Sequence, residues 1–326
     1  MPPGNPYAVQ STQTITGIGL QDLPADVLER MVPKGSALAL SRTSKKLRAA
    51  AHAASVDLVV EARPGHKFPN GQGLLVELNG FSPSWTVTVL RLRDCNLRAG
   101  GGAALAAFLQ GNTTLTELDV GINFLQEAGG LALAAALRGN TTLTKLDLRR
   151  NLMGDRVGEA FAELLRENST LRCLNLFRNR LGRSVLRFAW ALTPNAPHPH
   201  NATLTSLALG GHDLRGGGAV ELATMLRRNT TLTELDLYDS LVGGDEVHAL
   251  TEALGSNTTL ATLDLRAASF VGAFILGVIL ANNEPLRVRV LAEPRSAVQS
   301  TQTNTGMELL DLPAEVLERV RVLSGN

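Results

Sequence analysis

Cysteine, net charge and long apolar runs are all scarce in this chain, and each scarcity removes a class of function. Two cysteines occur in 326 residues, Cys95 and Cys173, so at most one disulfide is available. The formal net charge is +1, without the Lys and Arg excess of a nucleic-acid binder, and nucleic acid is not expected as a partner. The first residues, MPPGNPYAVQSTQTITG, lack the apolar region of a secretory signal. The strongly apolar stretch 270–281 has 12 residues, short of the ~20 that span a bilayer. A soluble protein of the cytoplasm or nucleus is the expectation, as a monomer without membrane contact. P-loop, G-x-S-x-G, H-E-x-x-H and a properly placed G-x-G-x-x-G are missing as well. No enzyme activity, cofactor or metal is therefore expected.

What the chain does have is a period. Val87, Leu115, Leu143 and Leu171 each open a segment of the form LxxLxLxxNxL at a spacing of 28; one step of 33 leads to Leu204, and 28 returns at Leu232 and Leu260. In NTTLTELDVGINFLQEAGGLALAAALRG the period-2 set Leu115, Leu118 and Val120 suits the inward face of a short strand. Asn123 can turn onto neighbouring backbone, Leu125 closes the core, and residues 128–137 follow a helical period. One unit cannot bury its apolar face alone, so seven must stack. Cys95 and Cys173 then lie three coils apart, about 14 Å at the usual strand spacing, beyond the ~7 Å reach of a disulfide.

These segments resemble leucine-rich repeats. Their length, with a helix on the outer side, is similar to the ribonuclease-inhibitor and Ran GTPase-activating-protein subclass. The resemblance covers residues 85–291 and implies an α/β solenoid: a horseshoe arc with a parallel β-sheet inside and helices outside. The asparagine column reads Cys95, Asn123, Asn151, Asn179, His212, Ser240, Ala268, so the hydrogen-bonded ladder should weaken from Leu204 onward and those coils should open more easily. Asn112, Asn140, Asn168, Asn201, Asn229 and Asn257 head N-x-[ST] sequons at one repeat position. There Asn can end the preceding helix and Thr can enter a strand, so a structural role is expected in place of glycans. Glycines 100–102 and 216–218 are expected in tight strand-to-helix turns needing positive φ. His198 and His200 have H-x-H spacing but no third ligand nearby, and a solvated loop is expected.

The chain divides into a flexible tail at 1–17, a helical segment at 18–54, a connecting N-cap region at 55–84, the repeats at 85–291 and a C-terminal tail at 292–326. In the helical segment Leu20, Leu23, Val27, Leu28 and Met31 are spaced as one helical stripe, with Pro24 suited to the first turn. The pair Leu23-Pro24, the pair Val27-Leu28, Met31 and the later SKKLR at 44–48 resemble an F-box, which implies docking on a Skp adaptor of a cullin ubiquitin ligase. Leu47 stands where that family often carries Trp, and the stretch before SKKLR is short. An amphipathic cap over the first coil explains the same residues. Segment 297–320 matches 18 of 24 positions of segment 8–31, which suggests tandem duplication.

A protein partner is expected on the concave face, where strand residues between the inward leucines point outward. The candidates are Arg91, Arg93, Glu117, Asp119, Lys145, Asp147, Arg149, Phe177, Glu234, Asp236, Tyr238, Asp264 and Arg266. Six acids and five bases with two aromatics suit a protein better than a phosphate polymer. Leu-Asp-Leu is also ordinary consensus in such repeats, so the Asp column serves either recognition or the fold.

Overall fold

The computed structural model describes residues 38–40, 56–62, 67–79, 85–194, 199–241, 244–265, 287–291 and 320–323. The strands are β1 (Leu38–Leu40), β2 (Val56–Ala62), β3 (Trp85–Arg91), β4 (Glu117–Asp119), β5 (Lys145–Asp147), β6 (Cys173–Asn175), β7 (Ser206–Ala208), β8 (Glu234–Asp236), β9 (Thr262–Asp264), β10 (Arg287–Leu291) and β11 (Val320–Leu323). They form one sheet in chain order. All neighbours are parallel except β1, which runs antiparallel to β2. The helices between are α1 (Leu74–Asn79), α2 (Arg98–Gln110), α3 (Gln126–Leu137), α4 (Asp155–Glu167), α5 (Val185–Leu192), α6 (Gly218–Leu226) and α7 (Gly244–Ser256). From β3 to β9 strand and helix alternate once per repeat, as a solenoid requires.

The LxxLxL spacing does what its period dictates. Val87, Leu115, Leu143, Leu171, Leu204, Leu232 and Leu260 are all buried, and so are Leu118, Val120 and Leu125 of the second repeat. The helices close the core from the other side, with Leu133 and Leu137 of α3 and Phe161, Leu164 and Leu165 of α4 among its members.

Two asparagine ladders stitch the coils. Asn151 Oδ1 accepts the backbone N–H groups of Asn123 (3.0 Å) and Leu125 (3.3 Å), while its Nδ2 donates to Val120 and Leu148 carbonyls. Asn179 repeats this for Asn151 and Met153. The second ladder is built from the sequon asparagines. Asn168 Oδ1 accepts from Thr170 and Leu171, and its Nδ2 reaches back to the Leu137 and Asn140 carbonyls of the previous coil. Asn140, Asn201, Asn229 and Asn257 are bonded likewise and are buried. A buried amide with these partners is a structural group.

The first ladder fails where Asn is replaced. His212 Nδ1 meets the Leu209 carbonyl at 2.7 Å, but its buried Nε2 has no partner, and neither has Ser240 Oγ. Burial pushes the His212 imidazole below its ordinary value. The expected loss of ladder bonding after Leu204 is therefore present in the bonds themselves.

Three readings need correction. Glycines 216 and 217 do take positive φ, +75° and +107°, but Gly100, Gly101 and Gly102 lie inside α2 and Gly218 opens α6. Packing explains two of them: a Cβ on Gly102 would sit 2.5 Å from Gly129 Cα of α3, and one on Gly101 would sit 2.4 Å from Leu97 Cβ. Within the segment expected to be helical, Leu38–Leu40 is a strand; the rest of 18–54, including Leu23, Pro24, Val27, Leu28 and Met31, lies outside the described residues. In the C-terminal tail Val320–Leu323 joins the sheet beside Arg287–Leu291. The sequences VRVL at 288–291 and 320–323 are the same, and alternating β-branched residues favour a strand in both places.

Candidate functional site

The concave face is a lattice of three columns set by the strand register, in which Arg91 pairs with Asp119, Asp119 with Asp147, and Asp147 with Asn175. In the first three repeats its charges neutralise one another, apart from that of Arg93. Glu117 lies between Arg91 (3.3 Å) and Lys145 (3.9 Å). The Arg149 guanidinium reaches Asp119 at 3.5 Å and Asp147 at 3.4 Å. Arg149 Nε is buried without hydrogen-bond geometry to any partner, so it sits beside its carboxylates as a charge and leaves one donor unspent.

The acidic column has a second task. Asp119 accepts the N–H of Gly121, Asp147 that of Arg149, Asn175 that of Phe177 and Asp236 that of Tyr238, at 2.8 to 3.0 Å. Each carboxylate or amide thus closes a turn two residues on, as short polar side chains at strand ends do. An acceptor oxygen, not a negative charge, is what the fold requires there. Asp147 bears the consequence: burial first, and then the neighbouring Asp119, push its carboxyl up to about 6, against the pull of Arg149.

Repeats four to six are built differently. Ser206, Ala208 and Gly210 give repeat five a buried, small-residue floor. Across it the Phe177 and Tyr238 rings meet with centroids 5.6 Å apart and planes tilted by 42°. Gly210 is the reason they can: a Cβ there would lie 2.5 Å from the Tyr238 carbonyl oxygen and 2.9 Å from Phe177 Cδ2. Beside the rings a second bridge spans the same gap. Arg178 Nη2 and Asp239 Oδ2 are 2.5 Å apart, with the guanidinium 5.3 Å over the Phe177 ring centroid. Gly211 makes room, since a Cβ would lie 2.5 Å from Arg178 Cγ. Sequence reasoning missed Arg178, Asp239 and Gly211. The signal was opposite charges in one column on either side of a glycine, separated by 61 residues.

Of the remaining candidates, Arg93 is exposed, Glu234 accepts from Ser206 Oγ at 2.8 Å, Asp264 is buried, and Arg266 lies outside the described residues. Cys173 is half-buried on the concave strip, and burial pushes its thiol up, as it does Cys95 to about 11. Neither is poised as a thiolate. His200 is exposed, and no group of metal-ligating side chains occurs among the described residues. On the outer side Arg166 stacks on Trp190 at 4.3 Å and pairs with Glu163, so Arg166 is part of the packing and not a free surface group.

Comparison with known proteins agrees with the repeat register. The family profile described as Leucine Rich repeat matches residues 86–106, 111–134, 139–162, 167–183 and 200–223. Leucine-rich repeats are present in this chain. They mark it as a repeat module of the kind that binds proteins. Among solved structures, Leiomodin-1 Actin-Binding Site 2 aligns at 20% identity over 57% of this chain and 88% of that one, with a TM-score of 0.35. The Caenorhabditis elegans tropomodulin C-terminal domain aligns at 13% identity over 56% and 92%, with a TM-score of 0.34. At these values neither likeness extends to function. No curated protein matches the chain in sequence.

Proposed function

We propose that the chain is a non-catalytic protein-interaction module that grips its partner on the concave strip of repeats four to six. The observation that carries this is the Phe177–Tyr238 pair held over Gly210. Two half-exposed aromatic rings, fixed by a neighbour's missing side chain and buttressed by Arg178–Asp239, form a rigid platform. Aromatic anchors of this kind dominate interface energies because they lose little entropy on binding. The concave charges of Arg91, Glu117, Asp119, Lys145, Asp147 and Arg149, already paired within the chain, contribute orientation more than affinity. Once a binding partner is captured on the intact chain, Phe177→Ala and Tyr238→Ala should each weaken the complex by roughly 1 to 3 kcal/mol. Glu163→Ala on the outer face should change it little. Greater damage from Glu163→Ala would move the site to the convex side.

Within that reading, the finer assignment is a substrate receptor of a Skp-cullin-F-box ubiquitin ligase acting in the cytoplasm or nucleus. Its support is the sequence of 18–54: Leu23-Pro24, Val27-Leu28, Met31 and SKKLR, ahead of leucine-rich repeats. The strand at Leu38–Leu40 weighs against a purely helical module there. The competing reading is a stand-alone scaffold whose N-terminal residues cap the sheet. Purified Skp adaptor binding to the intact chain, abolished by Leu28→Asp without a change in melting, would establish the receptor; no binding would leave the scaffold. The 28-residue period with outer helices of 12 or 13 residues in α2, α3 and α4 supports the ribonuclease-inhibitor-like subclass. A Ran-type GTPase-activating role has only that shared period behind it.

A further inference from the structure

The turns that follow the concave strands carry a second surface. In repeats one to three the backbone turns left-handed on either side of the ladder residue: at Asp94 and Asn96 in repeat one, Ile122 and Phe124 in repeat two, and Arg150 and Leu152 in repeat three, with φ between 53° and 60°. Cross-coil bonds impose the conformation, for Ile122 N–H donates to the Arg149 carbonyl at 2.9 Å and Arg150 N–H to that of Phe177 at 2.9 Å. Asp, Asn and Gly tolerate this geometry; bulky and β-branched side chains resist it. Repeat one obeys that rule with Asp94 and Asn96, and repeats five and six obey it at the position before the ladder residue with Gly211 and Asp239. Repeats two and three break it with Ile122, Phe124 and Leu152.

Among the described residues no core packing compensates. Phe124 is 44% exposed, Ile122 and Leu152 are half-exposed, and none of the three is among the apolar residues packed against the core. The ladder register stacks Phe124 beside Leu152 and Ile122 beside Arg150, so the three side chains occupy adjacent lattice points. Strain kept without packing is a mark of a working surface, and a clustered exposed apolar patch is a mark of a protein interface. The rim gives the partner's sign. Arg93, Arg150 and Arg180 are exposed at neighbouring points, and among the described residues no ion pair involves any of them. The nearest acids are engaged: Asp94 with Lys67, and Asp119 and Asp147 with Arg149.

We propose that Ile122, Phe124 and Leu152 form a docking patch for an acidic protein segment bearing apolar side chains, whose carboxylates are received by Arg93, Arg150 and Arg180. The patch lies outside the Phe177–Tyr238 platform and does not depend on it. The test uses the full chain, immobilised, with two short-peptide pools randomised over Leu, Phe, Glu and Asp in one and over Leu, Phe and Lys in the other. The acidic pool is retained and the basic pool is not. Phe124→Asn and Leu152→Asn each reduce retention about tenfold while leaving the melting temperature equal or higher, because Asn suits a left-handed turn. Arg150→Glu abolishes the preference for the acidic pool, and Tyr238→Ala leaves retention unchanged. Equal retention of both pools, undiminished retention by Phe124→Asn, or a lowered melting temperature in that variant would overturn the proposal. Loss of retention in Tyr238→Ala would overturn it too, by placing the acidic peptides on the concave strip.

Discussion

Repeats two to four and repeats five to six share a register but not a way of holding together. In the first group every ladder position is asparagine, whose amide has an acceptor and two donor hydrogens for the groups around it. In the second group the same positions hold His212 and Ser240, each with a buried polar atom left without a partner. What the second group has instead is the Phe177–Tyr238 and Arg178–Asp239 bridging across its glycines. One half is built for stability. The other spends ladder bonding and side-chain volume at the place where an aromatic platform faces the solvent.

The comparison breaks most visibly in the core. Leu146 is 2% exposed, and Leu146→Asp should leave an unpaired charge in a packed coil, costing about 4 kcal/mol in a denaturant melt. Lys145→Asp, one residue away and exposed, should cost about 1 kcal/mol or less. Equal losses would mean the register is wrong.

Asparagine against serine comes next. Asn151→Ala orphans the buried Asn123 and Leu125 N–H groups and takes one of two donors from each of the Val120 and Leu148 carbonyls, and about 3 kcal/mol should be lost. Ser240→Ala removes a hydroxyl that bonds to nothing, and stability should stay level or rise slightly. Similar losses in both would erase the distinction between the halves.

A pH-resolved melt sharpens the electrostatic side. Asp147 has its carboxyl raised to about 6, so folding takes up a proton, and stability present below the ordinary carboxylate range is lost as pH rises through about 6. Arg149 is the cation that limits this loss. Arg149→Met should cost roughly 2 kcal/mol at pH 8 and clearly less at pH 5, where Asp147 is protonated. A pH-independent loss would show that the pairing of Arg149 with Asp147 contributes nothing to stability.

The smallest effect is a gain. His212→Asn should restore acceptor and donors to the ladder and stabilise by about 1 kcal/mol. The imidazole is held below its ordinary value by burial, so the present chain loses stability as pH falls from 6.5 toward that lowered value, where the unfolded chain gains a proton first. The substitution should flatten that limb in thermal melts between pH 7 and pH 5.

Much of this contrast was legible in the sequence, because an inward leucine or a ladder asparagine acts at its own period. The opening residues from Val87 to Leu260 and the failing column at His212 and Ser240 could be read directly. Relations across coils could not. The sequon asparagines read as helix ends, yet they also bond the previous coil, a contact separated by a full repeat. Gly102 read as a turn because close helix packing against Gly129 leaves no local trace. The Arg178–Asp239 pair spans two coils, one of them lengthened, so its spacing matches no simple period. The same holds for Ile122 and Phe124: their left-handed backbone comes from neighbouring coils and contradicts their own propensities.

Native-state hydrogen exchange across the solenoid tests the central contrast most directly. The N–H groups of Leu118, Val120, Leu146 and Leu148 should exchange only at the free energy of global unfolding. Those of Leu207, Leu209, Leu235 and Leu237 should exchange through a lower-energy partial opening, and His212→Asn should shift them toward the first group. Equal protection in both groups, or greater protection in the second, would contradict the account.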